Sequence, residues 1–547
     1  MTITTFKDYL RNQILTTLEE LSMPTRDVHL EKSKIPEYGD LSSNIALTLA
    51  KEVKGSPLDL AERIKENLHL SPDYCSAVTI SPPGFLNFIY SPKYIRKQLI
   101  TLLKTGDSYG KTDVGKGKCA LVEFVSANPT GPLTVGHGRQ AVLGDTVSNI
   151  LEWHDYDVAR EYYFNDAGRQ MRLLGESVYV RYMESLGEKM TLPEGGYQGN
   201  YIRDIANHIY KIHHDTLKEQ PDSPVFKETA EKIIFEDIKS TLEKLGIYFD
   251  GFVNEKTFYE NQAIDQVISR LRRKNLAYNL DGAVWLKTTD FGKSQDTVLI
   301  KRTGEPTYRL PDIAYHEDKI KRGFDLIVDI FGSDHKDTYP DVISALQCLN
   351  YRTDHIQVLI HQFVTLKQKG VKVSMSTRKA TFVTLDDLIE IVGADVVRYF
   401  FLMRNMKSHL NFDMDLAMKE SEENPVYYLQ YAHARICNIL KYGKEVGIPS
   451  DVTADFTLLK EPSELNLIKE LIYFPEITKQ ILDSLEPQII SNYLQDLATL
   501  FHKFYTECRV VTEDISLSVA RIGLVSGVKT VLASSLEILG ISRPERM

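Results

Sequence analysis

Four short apolar segments, at residues 120–125, 159–163, 283–287 and 325–330, alternate with longer stretches whose apolar residues recur at helical spacing. Strands apolar along their whole length must be covered on both faces, which a parallel sheet flanked by helices achieves. The alternation therefore predicts a multidomain α/β chain built on a doubly wound, Rossmann-like parallel sheet. In that architecture ligands bind beyond the carboxyl ends of the strands. Asn128, Asn165 and Gly332 each fall just after a predicted strand, so they converge on one crevice.

A chain of 547 residues is too long for one core, and about three or four domains are expected. Residues 1–110 read as a small α/β domain, opened by an amphipathic helix with Phe6, Tyr9, Leu10, Ile14, Leu15 and Leu18 on one face. Residues 107–117 are polar and Gly-containing, a linker into the sheet domain at 111–345, with a helical insertion at about 170–278. A connecting region follows at 346–413, and 414–547 reads as an all-helical bundle. No apolar run is read as long enough to cross a membrane. Five scattered cysteines show neither pairing nor metal spacing, which suits a reducing cytoplasm and predicts no structural metal. A net charge of −10 weighs against a nucleic-acid partner, but positive charge concentrated on one face would reverse that inference.

The chemistry begins at Glu123-Phe-Val-Ser-Ala-Asn128-Pro-Thr-Gly-Pro-Leu-Thr134-Val-Gly136-His137-Gly138-Arg139. A strand, a Pro/Gly loop and a helix start make an anion site, because unpaired backbone N–H groups and the helix dipole face the loop. Gly136 lets the backbone approach a phosphate, and His137 can donate to one. A second segment lies far downstream, Ser374-Met375-Ser376-Thr377-Arg378-Lys379. Together the two resemble the signature sequences of class I aminoacyl-tRNA synthetases, in the wording of the arginyl-tRNA synthetase family. Residues 161–168, 308–315, 332–335, 428–435 and 543–547 extend the resemblance over nearly the whole chain, in family order.

That resemblance implies a two-step reaction. ATP and L-arginine give arginyl-adenylate and pyrophosphate, and the arginyl group then moves to the terminal ribose of an arginine-accepting tRNA. It implies Mg2+ on the ATP phosphates, no membrane, and action as a cytoplasmic monomer. Thr134, His137, Arg378 and Lys379 would carry the catalysis; Gly136, Gly138, Gly332, Asp334, His335, Met375 and Ser376 would hold ATP. Glu123, Asn128, Tyr308 and Asp312 would hold arginine. Carboxylates match a guanidinium bidentately, and a tyrosine ring offers its face to the cation. For tRNA, Asn87 and Tyr90 would touch its outer corner, while Tyr431, Arg435, Arg509 and Met547 would meet the anticodon. Splayed bases need aromatic faces and hydrogen bonds at their edges.

The sequence departs from the family pattern at the phosphates. Thr134 replaces the first signature histidine, Ser374 and Thr377 replace the usual lysines, and Gly131 occupies a position where some arginyl enzymes carry a compensating lysine. Arg378 and Lys379 are the expected replacements, with Lys372 and Arg139 next in line. The alternative is a catalytically degenerate paralogue that binds tRNA or adenylate without activation.

Overall fold

The computed structural model describes residues 5–33, 35–373 and 383–547. It opens with helix α1 (Phe6–Glu20), capped by Thr5 and Asp8 in a reciprocal capping box. Strands β1 (Leu30–Lys32) and β2 (Leu41–Ser43), helices α2 (Ile45–Val53) and α3 (Pro57–Asn67), strands β3 (Cys75–Ser81) and β4 (Phe85–Tyr90) and helix α4 (Pro92–Thr105) follow. The strands form an antiparallel sheet in the order β1-β2-β4-β3.

Asn87 and Tyr90 do not present a surface to RNA. Strand β4 is an inner strand, paired on both sides, and Asn87 is buried with its amide donating to Ser81 Oγ at 3.0 Å. Tyr90 is also buried, its ring 4.6 Å from that of Phe6 and 5.6 Å from that of Tyr94. Sequence position gave the strand but not its place inside the sheet.

The second unit is the doubly wound one. Strand β5 (Cys119–Glu123) leads through α5 (Val135–Trp153) to β6 (Asp157–Phe164). Helices α6 (Gly168–Ser185), α7 (Asn200–His213) and α8 (Pro224–Lys244) then intervene before β7 (Gly251–Asn254). The insertion expected at about 170–278 is thus two insertions, because the four-residue β7 returns to the main sheet between them. The second contains α9 (Lys256–Glu260), α10 (Ala263–Arg273) and strands β8 (Ala277–Leu280), β9 (Ala283–Leu286) and β10 (Thr297–Ile300). These three strands make a separate antiparallel sheet. The segment 283–287, expected in the parallel sheet, lies there instead; a short apolar strand reads alike in either setting.

Helix α11 (Arg309–Lys321), strand β11 (Leu326–Gly332), helix α12 (Tyr339–Cys348) and strand β12 (Ile356–His361) complete a five-stranded parallel sheet, β12-β11-β5-β6-β7. The chain winds outward from β5 in both directions, so the order reverses between β5 and β11. The site is expected at that switch point.

Strands β13 (Val364–Gln368) and β14 (Val371–Lys372) lead to the second signature segment. Beyond it come α13 (Leu385–Val392), α14 (Ala394–Leu402), β15 (Leu410–Asp413), which pairs with β13, and the short α15 (Met414–Ala417). The terminal bundle is α16 (Pro425–Glu445), α17 (Pro462–Ser484), α18 (Gln488–Glu507) and α19 (Ile515–Ile538).

Contrary to the sequence reading, α19 is long and apolar enough to cross a membrane. Most of it is buried against α16, α17, α4 and α5. It also carries Arg521, which pairs with buried Glu464 at 2.7 Å. This is the core helix of the bundle.

Candidate active site

Three strands bring carboxylates to one level of the sheet. Glu123 of β5 is in register with Asp329 of β11 and Glu161 of β6, and all three are buried. Helix α11 supplies the counter-charges. Lys319, fully buried, donates to Glu123 Oε2 and, at 2.6 Å, to Asp329 Oδ1. His316 donates from Nε2 to Asp329 Oδ2 at 2.9 Å and from Nδ1 to the Asp312 carbonyl at 2.8 Å. Arg322 grips Glu161 with two bonds of 2.6 and 2.8 Å, and the Tyr315 hydroxyl adds a third at 2.6 Å.

Burial opposes charge on Lys319 and His316, but the facing carboxylates keep both pKa values above their ordinary positions. Burial likewise opposes charge on Asp329, yet Lys319 and His316 hold it well below the usual carboxylate range. The row is internally neutral: Lys319 and His316 balance Glu123 and Asp329, and Arg322 balances Glu161.

Glu123, read from sequence as a guanidinium contact, is already engaged within the protein. One of its carboxylate oxygens is taken by Lys319 and the other accepts from Ser126 Oγ at 2.8 Å. The backbone supports that second bond. Val125 and Ser126 both adopt positive φ, +67° and +43°, conformations that non-glycine residues hold only where the surroundings fix them.

Two carboxyls in the same space have no counter-ion among the described residues. Asp312, in the first turn of α11, makes no side-chain hydrogen bond or ion pair there. Burial pushes its pKa up to about 7; the charges of His316 and Lys319 act against the rise, and Glu123 and Glu255 add to it. Glu255, immediately after β7, is buried and held by the Tyr163 hydroxyl at 2.9 Å and Asn165 Nδ2 at 2.7 Å. Burial raises its pKa too.

The sequence reading missed Glu255; its only local signal is an acidic residue at a strand end. Asn128 accepts from the Asn165 backbone at 2.9 Å and donates to Gln170 at 3.0 Å, joining the first signature loop to the β6–α6 turn. Tyr308 stands one turn before Asp312, 73% exposed and with no ring contact among the described residues.

The nucleotide side is built from neutral groups. Thr134 caps α5: its hydroxyl accepts from the His137 backbone, while its own N–H donates to His137 Nδ1 at 3.2 Å. Nδ1 being an acceptor, the ring hydrogen sits on Nε2. Burial lowers His137 to about 4, so it is a neutral donor.

A Cβ on Gly136 would meet only Thr134 Oγ1, at 3.6 Å, an ordinary contact. Gly138 differs: a Cβ there would lie 2.5 Å from Leu385 Cδ1, so helix packing rather than phosphate approach requires this glycine. Arg139 is likewise no phosphate ligand. It is fully buried and donates to the carbonyls of Gln362, Asn405 and Ser408 at 2.7, 3.0 and 3.1 Å. Gly131 faces Tyr201, whose hydroxyl would lie 2.8 Å from a Cβ, leaving no room for a lysine.

Gly332 ends β11 in an ordinary extended conformation. Asp334 is exposed, and His335 stacks on Phe331 with ring centres 5.1 Å apart. Met375, Ser376, Arg378 and Lys379 lie outside the described residues. The far end of their segment is anchored to the first signature, since Thr384 bridges to Thr134 and the Leu385 N–H donates to the Leu133 carbonyl. Lys372 is exposed at the end of β14.

In the terminal bundle, Tyr431, Arg435, Arg509 and Met547 line one cavity of about 650 Å³, with Asn438 and Tyr505. Arg435 lies over the rings of Tyr431 and Tyr505, 4.5 and 4.9 Å from their centres. His433, between Tyr431 and Arg435 in sequence, is buried and bonded to the Pro544 carbonyl at 3.0 Å.

Comparison with known proteins agrees with this geometry. Three family models match in order: the arginyl tRNA synthetase N terminal domain at residues 8–90, the tRNA synthetases class I (R) catalytic domain at 98–398, and the DALR anticodon binding domain at 429–547. The arginine–tRNA ligase of Salinibacter ruber is 49% identical, covering 99% of this chain and 100% of its own. That of Desulfotalea psychrophila is also 49% identical, over 95% and 94%. The solved structure of Thermus thermophilus arginyl-tRNA synthetase shares the fold with a TM-score of 0.77 at 21% identity, covering 98% of this chain and 99% of that one. The chain belongs to the arginyl-tRNA synthetase family of class I aminoacyl-tRNA synthetases.

Proposed function

We propose that the crevice over the β5–β11 switch point performs the family's ligation, with arginine on the side of Asp312 and ATP on the side of His137. The chain is an ATP-dependent arginine–tRNA ligase. The observation that carries the assignment of sides is the charge balance. The buried row is neutral, and Asp312 and Glu255 are left over, facing a space where a planar cation can bridge carboxylate oxygens with its fork of donors. Tyr308, at the mouth, can close over the guanidinium with its ring. Asn128, in the first signature loop, suits the α-amino or carboxylate end.

In the first step the arginine carboxylate attacks the α-phosphate of ATP, which carries its Mg2+ as part of the substrate, and pyrophosphate leaves. The neutral Nε2–H of His137 and the open backbone at Gly136 meet phosphate oxygens, whose charge grows in the transition state. Arg378 and Lys379 remain our candidates for the pyrophosphate. In the second step a hydroxyl of the tRNA 3′-terminal ribose attacks the arginyl carbonyl and releases AMP.

The cavity of Tyr431, Arg435, Arg509 and Met547 suits anticodon bases by stacking and edge hydrogen bonds. The family resemblance supports action as a monomer, and a reducing cytoplasm suits the free cysteines. We divide the chain at about 110 and about 414, as read from sequence, but with the first insertion ending before β7. A pocket with both unbalanced carboxyls intact gives the degenerate alternative no support.

Aminoacylation of total tRNA with each amino acid in turn tests the reading. Arginine alone should be charged; charging with any other amino acid and not arginine would overturn it.

A further inference from the structure

His361 is a buried imidazole at the crevice to which the reaction above assigns nothing. It ends β12 and is the register partner of Gly332, and it is only 5% exposed. Its Nδ1 lies 3.3 Å from the Gln362 carbonyl oxygen. That oxygen can only accept, so Nδ1 carries the ring hydrogen. Burial lowers the ring's pKa to about 4, leaving it neutral.

Nε2 is therefore a bare acceptor. It is buried and has no hydrogen-bond partner among the described residues. It faces the end of β11, 4.0 Å from where a Cβ on Gly332 would stand. An unsatisfied buried acceptor is costly, and the arrangement calls for a donor supplied by a ligand.

The phosphates of ATP accept hydrogen bonds; its donors are of two kinds, the ribose hydroxyls and the exocyclic amine of adenine. Asp334, exposed just after Gly332, offers a carboxylate that can accept from the ribose hydroxyls. The amine remains for the imidazole. A guanine would present its 6-oxo group instead, setting one acceptor against another.

We propose that His361 Nε2 accepts a hydrogen bond from the exocyclic amine of adenine and so selects adenine over guanine nucleotides. The proposal rests on placing ATP between His137 and Gly332.

The test is aminoacylation by the full chain with ATP, with purine riboside 5′-triphosphate, which lacks the amine, and with 2′-deoxy-ATP. The wild-type protein should use the purine riboside analogue about tenfold less efficiently than ATP. His361→Phe should lose about the same factor with ATP and no longer distinguish the two. His361→Gln, which keeps an acceptor near the position of Nε2, should recover part of the discrimination.

Equal use of both nucleotides by the wild type would overturn the proposal without need of any variant. So would a wild-type ratio retained in His361→Phe, or a loss of discrimination in that variant only against 2′-deoxy-ATP. Gly332→Val separates the two levels. If it leaves the KM for ATP unchanged, the placement of the nucleotide itself fails; if it raises that KM while His361→Phe keeps the wild-type ratio, only the role of His361 fails.

Discussion

The two halves of the crevice solve opposite electrostatic problems. The arginine half is dense in charge, yet almost all of that charge is cancelled internally, by Lys319 against Glu123 and Asp329 and by Arg322 against Glu161. What remains lies on Asp312 and Glu255, the negative charge offered to a cationic ligand. The half proposed for the nucleotide would take the more highly charged ligand, yet its buried imidazoles are neutral: His137 and His361 are both lowered to about 4 by burial, Arg139 is spent on carbonyl groups, and the one carboxylate, Asp334, is exposed. A fixed, unbalanced charge gives selectivity for a small cation. Phosphates that change charge during reaction are better met by neutral donors, with cations brought by a separate segment.

The largest effect should come from unbalancing the row. Lys319→Met leaves Glu123 and Asp329 buried without their shared partner, and should destabilise the sheet domain by about 3–5 kcal/mol. The thermal unfolding midpoint checks this; an unchanged midpoint would mean the row is not held by Lys319. Asp312→Ala should weaken arginine binding by roughly 2–5 kcal/mol with little change in the KM for ATP, which would localise the free charge to one half. If the KM for arginine is unmoved, Asp312 is outside the pocket.

On the other side, Arg378→Ala should lower the activation rate by about two orders of magnitude while affecting ATP binding less. Pyrophosphate exchange in the presence of tRNA measures it. Normal exchange in both Arg378→Ala and Lys379→Ala would move the role to Lys372, since Arg139 is already engaged.

A smaller and more discriminating contrast lies in pH. Asp312, raised to about 7, is largely protonated below that pH, and the pocket then lacks half its free charge. The KM for arginine should therefore fall several-fold from about pH 6 to about pH 8. His137 and His361 stay neutral throughout that window. The inhibition constant of adenosine, which does not titrate there, should be flat. Parallel pH profiles for both ligands would erase the distinction between the halves.

The sequence was informative where function coincides with local order. Alternation located β5, β6 and β11. It failed where through-space pairing decides. Strand β7 is only four residues long, too short for a period, so Glu255 was passed over although the fold sets it beside Tyr163 and Asn165. Glu123 looked like a free carboxylate because its partner, Lys319, is far away along the chain and adjacent only after α11 packs on the sheet. Asn87 and Tyr90 looked exposed because nothing local reveals that β4 is an inner strand. His361 needed the orphaned nitrogen to be seen at all.

The central claim is that the pocket's uncompensated charge rests on Asp312 and is called out by the guanidinium. Calorimetry of arginine binding at about pH 7, in buffers of different ionisation enthalpy and with tRNA present, counts the protons exchanged. The account predicts release of roughly half a proton per arginine by the wild-type protein, as a half-ionised carboxyl becomes fully ionised, and a much smaller release by Asp312→Asn. Binding without proton release in the wild type, or the same release in the variant, would contradict it.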